Sequence, residues 1–379
     1  MNSFYFDWAA TSPMSNESIE EYALTARDFM ANPSAAHHEG QKSHVRLQEL
    51  RKKASELLGC KSENMFFTSG GTESDSIILN SALLSINPGN IIISQAEHSA
   101  IKQYATVLKQ MGWSISYLPC PHGKADIDSL KKLLVPETRF IFIMLVNNVL
   151  GTIEDISAIV GKCREYEKNT GRHIHVHTDA VQACGKIPIN LEAMDVDSAA
   201  FSAHKFCGPR GVGMLYCRNK SIKSISTGGG QESGIRPGTE NLSGIAAMVK
   251  ALEIAVASQK EHFENAMKNK KVLSQLLETN GFEILSPLEG CSPFILNVST
   301  SRIPSEVFVR VMSDRGYCLS AGSACNNNSK KKVEGLNTLG FSEKQSSTSV
   351  RISFGFDKDR ESSIRLGQNM ISVLKELSL

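Results

Sequence analysis

Lys205 stands in the stretch Ala199-Ala200-Phe201-Ser202-Ala203-His204-Lys205-Phe206-Cys207-Gly208-Pro209-Arg210, between an apolar strand-like run and a Gly/Pro turn. A lysine kept out of water in such a place has a lowered pKa and can act as a nucleophile, whereas one beside a surface turn has no such role. Asp179 closes the alternating run His173-Ile174-His175-Val176-His177-Thr178-Asp179 and is followed by Ala180-Val181-Gln182. In a strand the three histidines and Asp179 share one face, which invites a metal. A zinc site draws its ligands from several elements, so no metal is expected, and Asp179 at the strand end is the sharper candidate. His98 follows the apolar run Asn90 to Gln95, just beyond a strand's carboxyl end, where open α/β sheets place ligands. Ser69-Gly70-Gly71-Thr72-Glu73-Ser74, between a strand and a helix, either offers free backbone N–H groups to an anion such as phosphate or is a plain turn capped by Thr72. Neither it nor Gly228-Gly229-Gly230 fits the G-x-x-x-x-G-K-[ST] nucleotide loop.

The elements that must position these residues alternate in type. Strands are expected at Asn64–Thr68, Asn90–Gln95, Trp113–Leu118, Arg139–Val146, His173–Asp179, Val196–Phe201 and Val212–Cys217. Between them lie helical patterns at Gly40–Gly59, through Leu84, Ala100–Met111, Asp126–Leu134 and Ile156–Thr170. That order predicts an α/β fold, a mostly parallel sheet covered by helices on both faces. Gly228 to Asn241 has no periodicity and is expected as an ordered loop near the site. A long, bent helix from Leu242 to Leu277 leads out of the large domain, 13–252, into a smaller α+β domain made of 1–12 and 253–379. Strands at Phe294–Ser299 and Ser349–Phe354 and helices at Ser305–Gly316 and Asp359–Lys375 belong to it.

Composition limits the function. Among 379 residues, 41 basic and 39 acidic side chains leave a net charge of +2, which gives no long-range attraction to nucleic acid or to an anionic membrane. Apolar runs such as Phe140 to Val146 are too short to span a bilayer, and Met1 to Pro13 lacks a basic region ahead of an apolar stretch. Nine cysteines, odd in number and without a C-x-x-C pair, fit reduced thiols in a cytoplasmic protein.

Six motifs occur in order: Thr68-Ser69-Gly70-Gly71-Thr72-Glu73-Ser74, Glu97-His98, Asp179-Ala180-Val181-Gln182, Ser202-Ala203-His204-Lys205, Arg236-Pro237-Gly238-Thr239-Glu240-Asn241 and Ser323-Ala324-Cys325. Together they resemble the cysteine desulfurases, pyridoxal 5'-phosphate enzymes of the class V aminotransferase group. The likeness runs from Tyr5-Phe6-Asp7 to Arg351-Ile352-Ser353. It implies a fold-type-I homodimer that converts L-cysteine to L-alanine, captures the sulfur as a persulfide on Cys325 and passes it to an acceptor protein, either an iron–sulfur scaffold or a tRNA thiolation factor. It further implies that Lys205 binds the cofactor aldehyde and then moves a proton at the substrate α-carbon. Asp179 would keep the pyridine nitrogen protonated, Gln182 would donate to the phenolic oxygen, and His98 would stack on the ring and assist proton transfer. Gly71 and Thr72 would hold the phosphate with Ser202 and His204, and Thr239 would reach the phosphate of the neighbouring subunit. Asn148 and Arg351 match the residues that receive the substrate carboxylate.

Cys325 sits in a small, polar stretch, and Lys330, Lys331 and Lys332 after it favour its thiolate. The chain departs from the family at Val149, where a glutamate is usual, in the Asn326-Asn327-Asn328 and lysine run after Cys325, and in lacking an extended tail after the last helix. Three alternatives stay open. A selenocysteine lyase or an aminotransferase would share the fold, and a non-catalytic paralogue would serve sulfur trafficking.

Overall fold

The computed structural model describes residues 4–219, 221–322 and 335–378. Short runs of β-branched, aromatic and small apolar residues form seven strands: Met65–Thr68 (β1), Asn90–Ser94 (β2), Ser114–Leu118 (β3), Thr138–Phe142 (β4), His175–Asp179 (β5), Ser198–Ser202 (β6) and Gly213–Cys217 (β7). They make one sheet in the order β1-β7-β6-β5-β4-β2-β3. Neighbours from β3 to β6 pair in parallel, and β7 alone runs against the rest, antiparallel to both β1 and β6. The expected sheet is therefore present, with helices over both faces. Parallel connections need such crossovers, and burial on both sides explains why β2 and β6 read as continuous apolar or neutral runs.

A second sheet holds Glu283–Ile284 (β8), Ile295–Ser299 (β9), Ser320–Ala321 (β10) and Ser349–Ser353 (β11), antiparallel in the order β10-β11-β9-β8. Helices Gln259–Thr279, Ser305–Asp314 and Arg360–Glu376 accompany it, completing the smaller α+β part. Its core gathers Phe6, Leu273, Leu277, Leu296, Phe308 and Ile352. The core of the large sheet instead takes Leu242, Met248, Leu252 and Ala255. The change of core falls at the break between helices Leu242–Ala257 and Gln259–Thr279, which are bent by 68°. The N-terminal segment joins the smaller sheet through bridges from Tyr5 to Cys318 and from Asp7 to Ser353.

Several elements differ in extent from the sequence pattern. The run Ala100–Met111 is two short helices, Ser99–Lys102 and Tyr104–Gln110. β4 ends at Phe142 although Ile143 and Leu145 still donate to the carbonyls of His177 and Asp179, because the intervening Met144 N–H turns to the Glu97 carboxylate. β5 begins at His175, since His173 is drawn aside to Glu167 and Asp197.

Candidate active site

The carboxyl ends of β1, β2, β4, β5 and β6 converge on a cavity of about 590 Å³, closed on its far side by Arg351 and Ser320 of the smaller sheet and by Ala9, Ala10 and Thr11. Open α/β sheets bind ligands at this edge because helix N-termini and strand-end loops meet there. Gly71, Thr72, His98, Asn148, Asp179, Gln182, Ser202, His204, Lys205 and Arg351 all line it. Sequence-predicted residues from six separate segments are thus brought to one place. Thr239 is not among the lining residues and is exposed on the loop 228–241. Cys325 lies outside the described residues.

Lys205 is placed by a turn that the N-terminal segment clamps. Ser12 donates its N–H and its hydroxyl to the His204 carbonyl, at 2.8 and 2.9 Å, and the Cys207 N–H donates to Ser12 Oγ at 2.8 Å. Cys207 itself has φ 67°, a left-handed conformation unfavourable for a side-chain-bearing residue, so the clamp fixes a backbone that would otherwise relax. The Lys205 ammonium donates to the carbonyls of Ala9 and Ala10 at 2.6 and 2.7 Å. His204 Nδ1 lies 3.2 Å from Thr11 Oγ1. Burial, the Lys205 charge and then Arg210 push the His204 pKa down to about 4, leaving a neutral imidazole at neutral pH.

Asp179 is buried at the floor, and its Oδ1 accepts from the Val181 N–H at 2.9 Å. Two further buried carboxylates flank it, Asp75 and Glu97. Burial, followed by the Asp179 charge, raises both well above the carboxylate range. Asp179 is also raised by burial, but His98, the Val181 N–H and Lys205 oppose the rise. Of the three acids, Asp179 is the one whose rise is opposed by the pocket residues His98 and Lys205. Behind it a polar chain crosses the sheet: Asp75 Oδ1 lies 3.0 Å from His177 Nε2, and Ser198 Oγ lies 2.7 Å from both His177 Nδ1 and His175 Nε2. Both histidines are accounted for by these contacts. Among the described residues no group of three or more His, Cys, Asp or Glu is arranged to hold a metal.

The helix Gly71–Leu83 points its N-terminus into the cavity. A Cβ on Gly71 would come within 2.5 Å of Val181 Cγ2, so the helix start can lie this close to β5 only as glycine. Asn148 and Arg351 are coupled directly, since Arg351 Nη1 donates to the Asn148 carbonyl at 3.0 Å while Nη2 donates to Asp7 Oδ1 and Ser320 Oγ, both at 3.0 Å. Val149 packs against an apolar cluster of Ala96, Leu150, Leu285 and Leu336, where a glutamate would be desolvated.

Four contributors had no role in the sequence reading. Asp75 follows Gly71 at i+4 on the same helix face, a spacing visible in the sequence, and Lys186 follows Gln182 at the same interval. Glu97 stood next to His98 without a task. The carbonyls of Ala9 and Ala10 carry no side-chain signal at all. The loop 228–241 is anchored by Glu232, whose carboxylate takes Arg51 Nη1 and Nη2 at 2.6 and 2.7 Å and the Phe67 N–H at 2.8 Å.

Known proteins place this arrangement. Residues 4–364 match the family Aminotransferase class-V. The chain is 34% identical over 363 residues to "Cysteine desulfurase IscS" of Dictyoglomus turgidum, covering 94% of this chain and 91% of that one. It superposes on a solved "NIFS-LIKE PROTEIN" with a TM-score of 0.92 and 31% identity over 98% and 99% of the two chains. A structure described as "SspA in complex with cysteine" gives a TM-score of 0.79 and 30% identity over 92% and 98%. By the family match over residues 4–364 and these near full-length likenesses, the chain belongs to the class-V aminotransferase family.

Proposed function

We propose that this protein is a cysteine desulfurase that uses pyridoxal 5'-phosphate, forms L-alanine from L-cysteine and transfers the sulfur through a persulfide on Cys325. The observation that carries the reading is the convergence of Lys205, Asp179, His98 and Arg351 on one cavity of about 590 Å³ in a chain with full-length similarity to enzymes of that name.

The lining fits the cofactor group by group. An amine (Lys205) suits the aldehyde, a buried carboxylate (Asp179) suits the pyridine nitrogen, and an amide N–H₂ (Gln182) suits the phenolic oxygen. The helix start at Gly71, with Ser202 and neutral His204, offers N–H and O–H donors to the phosphate. When bound, the cofactor supplies an electron-accepting ring that stabilises negative charge at the substrate α-carbon. The protein's own groups do the rest. Lys205 Nζ gives and takes the proton at that carbon, and His98 serves as a second proton carrier. Its Nδ1 accepts the Ala100 N–H at 3.2 Å, which leaves Nε2 to carry the hydrogen. Arg351, held by Asp7 and the Asn148 carbonyl, keeps further N–H groups for the substrate carboxylate.

Net, the Cβ–S bond of L-cysteine breaks and a bond from that sulfur to Cys325 Sγ forms, with alanine released and no external oxidant. Ser320, five positions before Cys325 in the sequence, lines the cavity. The acceptor is proposed to be an iron–sulfur scaffold or thiolation protein, the enzyme to be a homodimer in which Thr239 completes the partner subunit's phosphate site, and the setting to be the cytoplasm. A yellow protein whose visible band is bleached by borohydride, with the label mapping to Lys205, supports the reading. A colourless protein that binds no pyridoxal phosphate overturns it.

A further inference from the structure

Lys186 lies behind the cavity wall with only 2% of its surface exposed. Burying an amine in an apolar region is costly unless it is paired. Among the described residues no carboxylate forms an ion pair with it, and its hydrogen bond runs to Gln182 Oε1 at 3.1 Å. Gln182 and Lys186 occupy successive positions of one helical turn, where the N–H groups of Cys184 and Ile187 donate to the carbonyls of Ala180 and Ala183. That turn is pinned against the Lys205 turn. A Cβ on Gly185, at φ +72°, would come within 2.8 Å of Ala255 Cβ and 3.1 Å of Phe206 Cβ.

An amide has two ends of similar shape and opposite hydrogen-bonding sense. Beside an ammonium, which has N–H donors and no acceptor, only its oxygen end is satisfied. The Gln182 N–H₂ is thereby turned the other way, where it donates to the Ala9 carbonyl at 2.8 Å, the same oxygen that takes Lys205 Nζ at 2.6 Å. A continuous hydrogen-bonded chain therefore links Lys186 through Gln182 and Ala9 to Lys205.

We infer that Lys186 is a positioning residue, which by donating to Gln182 Oε1 holds the amide with its N–H₂ facing the pocket as a donor to the phenolic oxygen of pyridoxal phosphate. This rests on the cofactor reading above. Without Lys186 only the Ala9 carbonyl still opposes a flip that would set oxygen against oxygen.

The test is a double-mutant cycle on pyridoxal phosphate affinity, measured by fluorescence titration of the full chain stripped of cofactor, with Lys186→Met, Gln182→Ala and the pair. Each single change is expected to weaken binding about five- to tenfold, the range of one neutral hydrogen bond, and the pair to bind no more weakly than Gln182→Ala alone. Multiplying losses in the pair, or wild-type affinity in Lys186→Met, would overturn the inference. Should Lys186→Met fail to unfold cooperatively, Lys186→Gln keeps a side-chain donor. Affinity closer to wild type than that of Gln182→Ala is the expected result, and a loss as large as that variant's overturns the inference. Wild-type protein that binds no cofactor defeats the functional reading itself, whereas wild-type binding with multiplicative variants defeats only the role of Lys186.

Discussion

Asp75, Glu97 and Asp179 carry the same functional group into the same floor, and their neighbours decide which of them is ionised. Asp75 and Glu97 are pushed up by burial and by Asp179, while Asp179 has Lys205 and His98 to offset its own burial. The protonated form that burial favours at Asp75 is close in shape and donor pattern to asparagine. Asp75→Asn is therefore expected to keep alanine formation within about threefold of wild type, whereas Asp179→Asn is expected to lower it by about 10²- to 10⁴-fold. Measuring alanine release from L-cysteine separates the two, and equal losses would refute the assignment of charge. Gly71→Ala places a methyl group 2.5 Å from Val181 Cγ2. Pyridoxal phosphate affinity is expected to fall at least about tenfold, as read by titration. Lys205, Asp179 and His98 were legible in the sequence because each is a reactive residue at or just beyond the end of a strand-like run. Lys186 and Asp75 were not, because Lys186 bonds Gln182 four residues before it and Asp75 meets His177 across 102 positions, so each looks like any other polar residue of a helical stretch.

At the scale of elements, the loop 228–241 and strand β5 are each held by buried charge or imidazole. Glu232 has a fully buried side chain and Arg51 one that is 12% exposed. Glu232→Ala strands that guanidinium and the Phe67 N–H. A loss of about 3–5 kcal/mol in denaturant unfolding is expected, with Arg51→Ala similar and the pair less than additive. The sequence marked this loop as ordered through its density of special residues. The ion pair that orders it spans 181 positions and left no local trace.

His175 and His177 are neutral in the fold, their pKa values lowered by burial to about 4 and about 3. The unfolded chain takes up those protons near pH 6.5. Their contribution to stability is thus fully present above pH 6.5 and is lost as pH falls toward the folded values. In cofactor-free protein the melting temperature is expected to drop less between pH 7 and pH 5 in His175→Phe than in wild type. Other groups cancel in that difference, and parallel curves would contradict the account. The alternation of β5 did show that these histidines share a face, and the structure explains the pattern through the single hydroxyl of Ser198 that serves both.

Across the whole molecule, the N-terminal segment ties the two sheets to the site. Phe6 is fully buried in the core of the smaller sheet, and Ala9, a short way on, carries the carbonyl that takes both Lys205 and Gln182. Phe6→Ala is expected to cost about 3–5 kcal/mol in stability and to weaken cofactor binding in the same variant, although Phe6 packs in the core of the smaller sheet. Normal affinity in a destabilised Phe6→Ala protein would show that the segment does not couple the two. The fold class was legible because alternation of strand and helix periods constrains a sheet strongly. Strand order and the reversal of β7 depend on contacts between distant segments, which periodicity does not encode.

The claim on which the rest depends is that sulfur from L-cysteine ends on Cys325. Mass spectrometry of the purified holoenzyme after brief exposure to L-cysteine, with alkylation to trap labile sulfur, tests it directly. The account predicts one added sulfur on the peptide bearing Cys325, alanine formed in equal amount, and neither product from Lys205→Ala. Sulfur carried by another cysteine, or unchanged persulfide formation in Cys325→Ser, would contradict it.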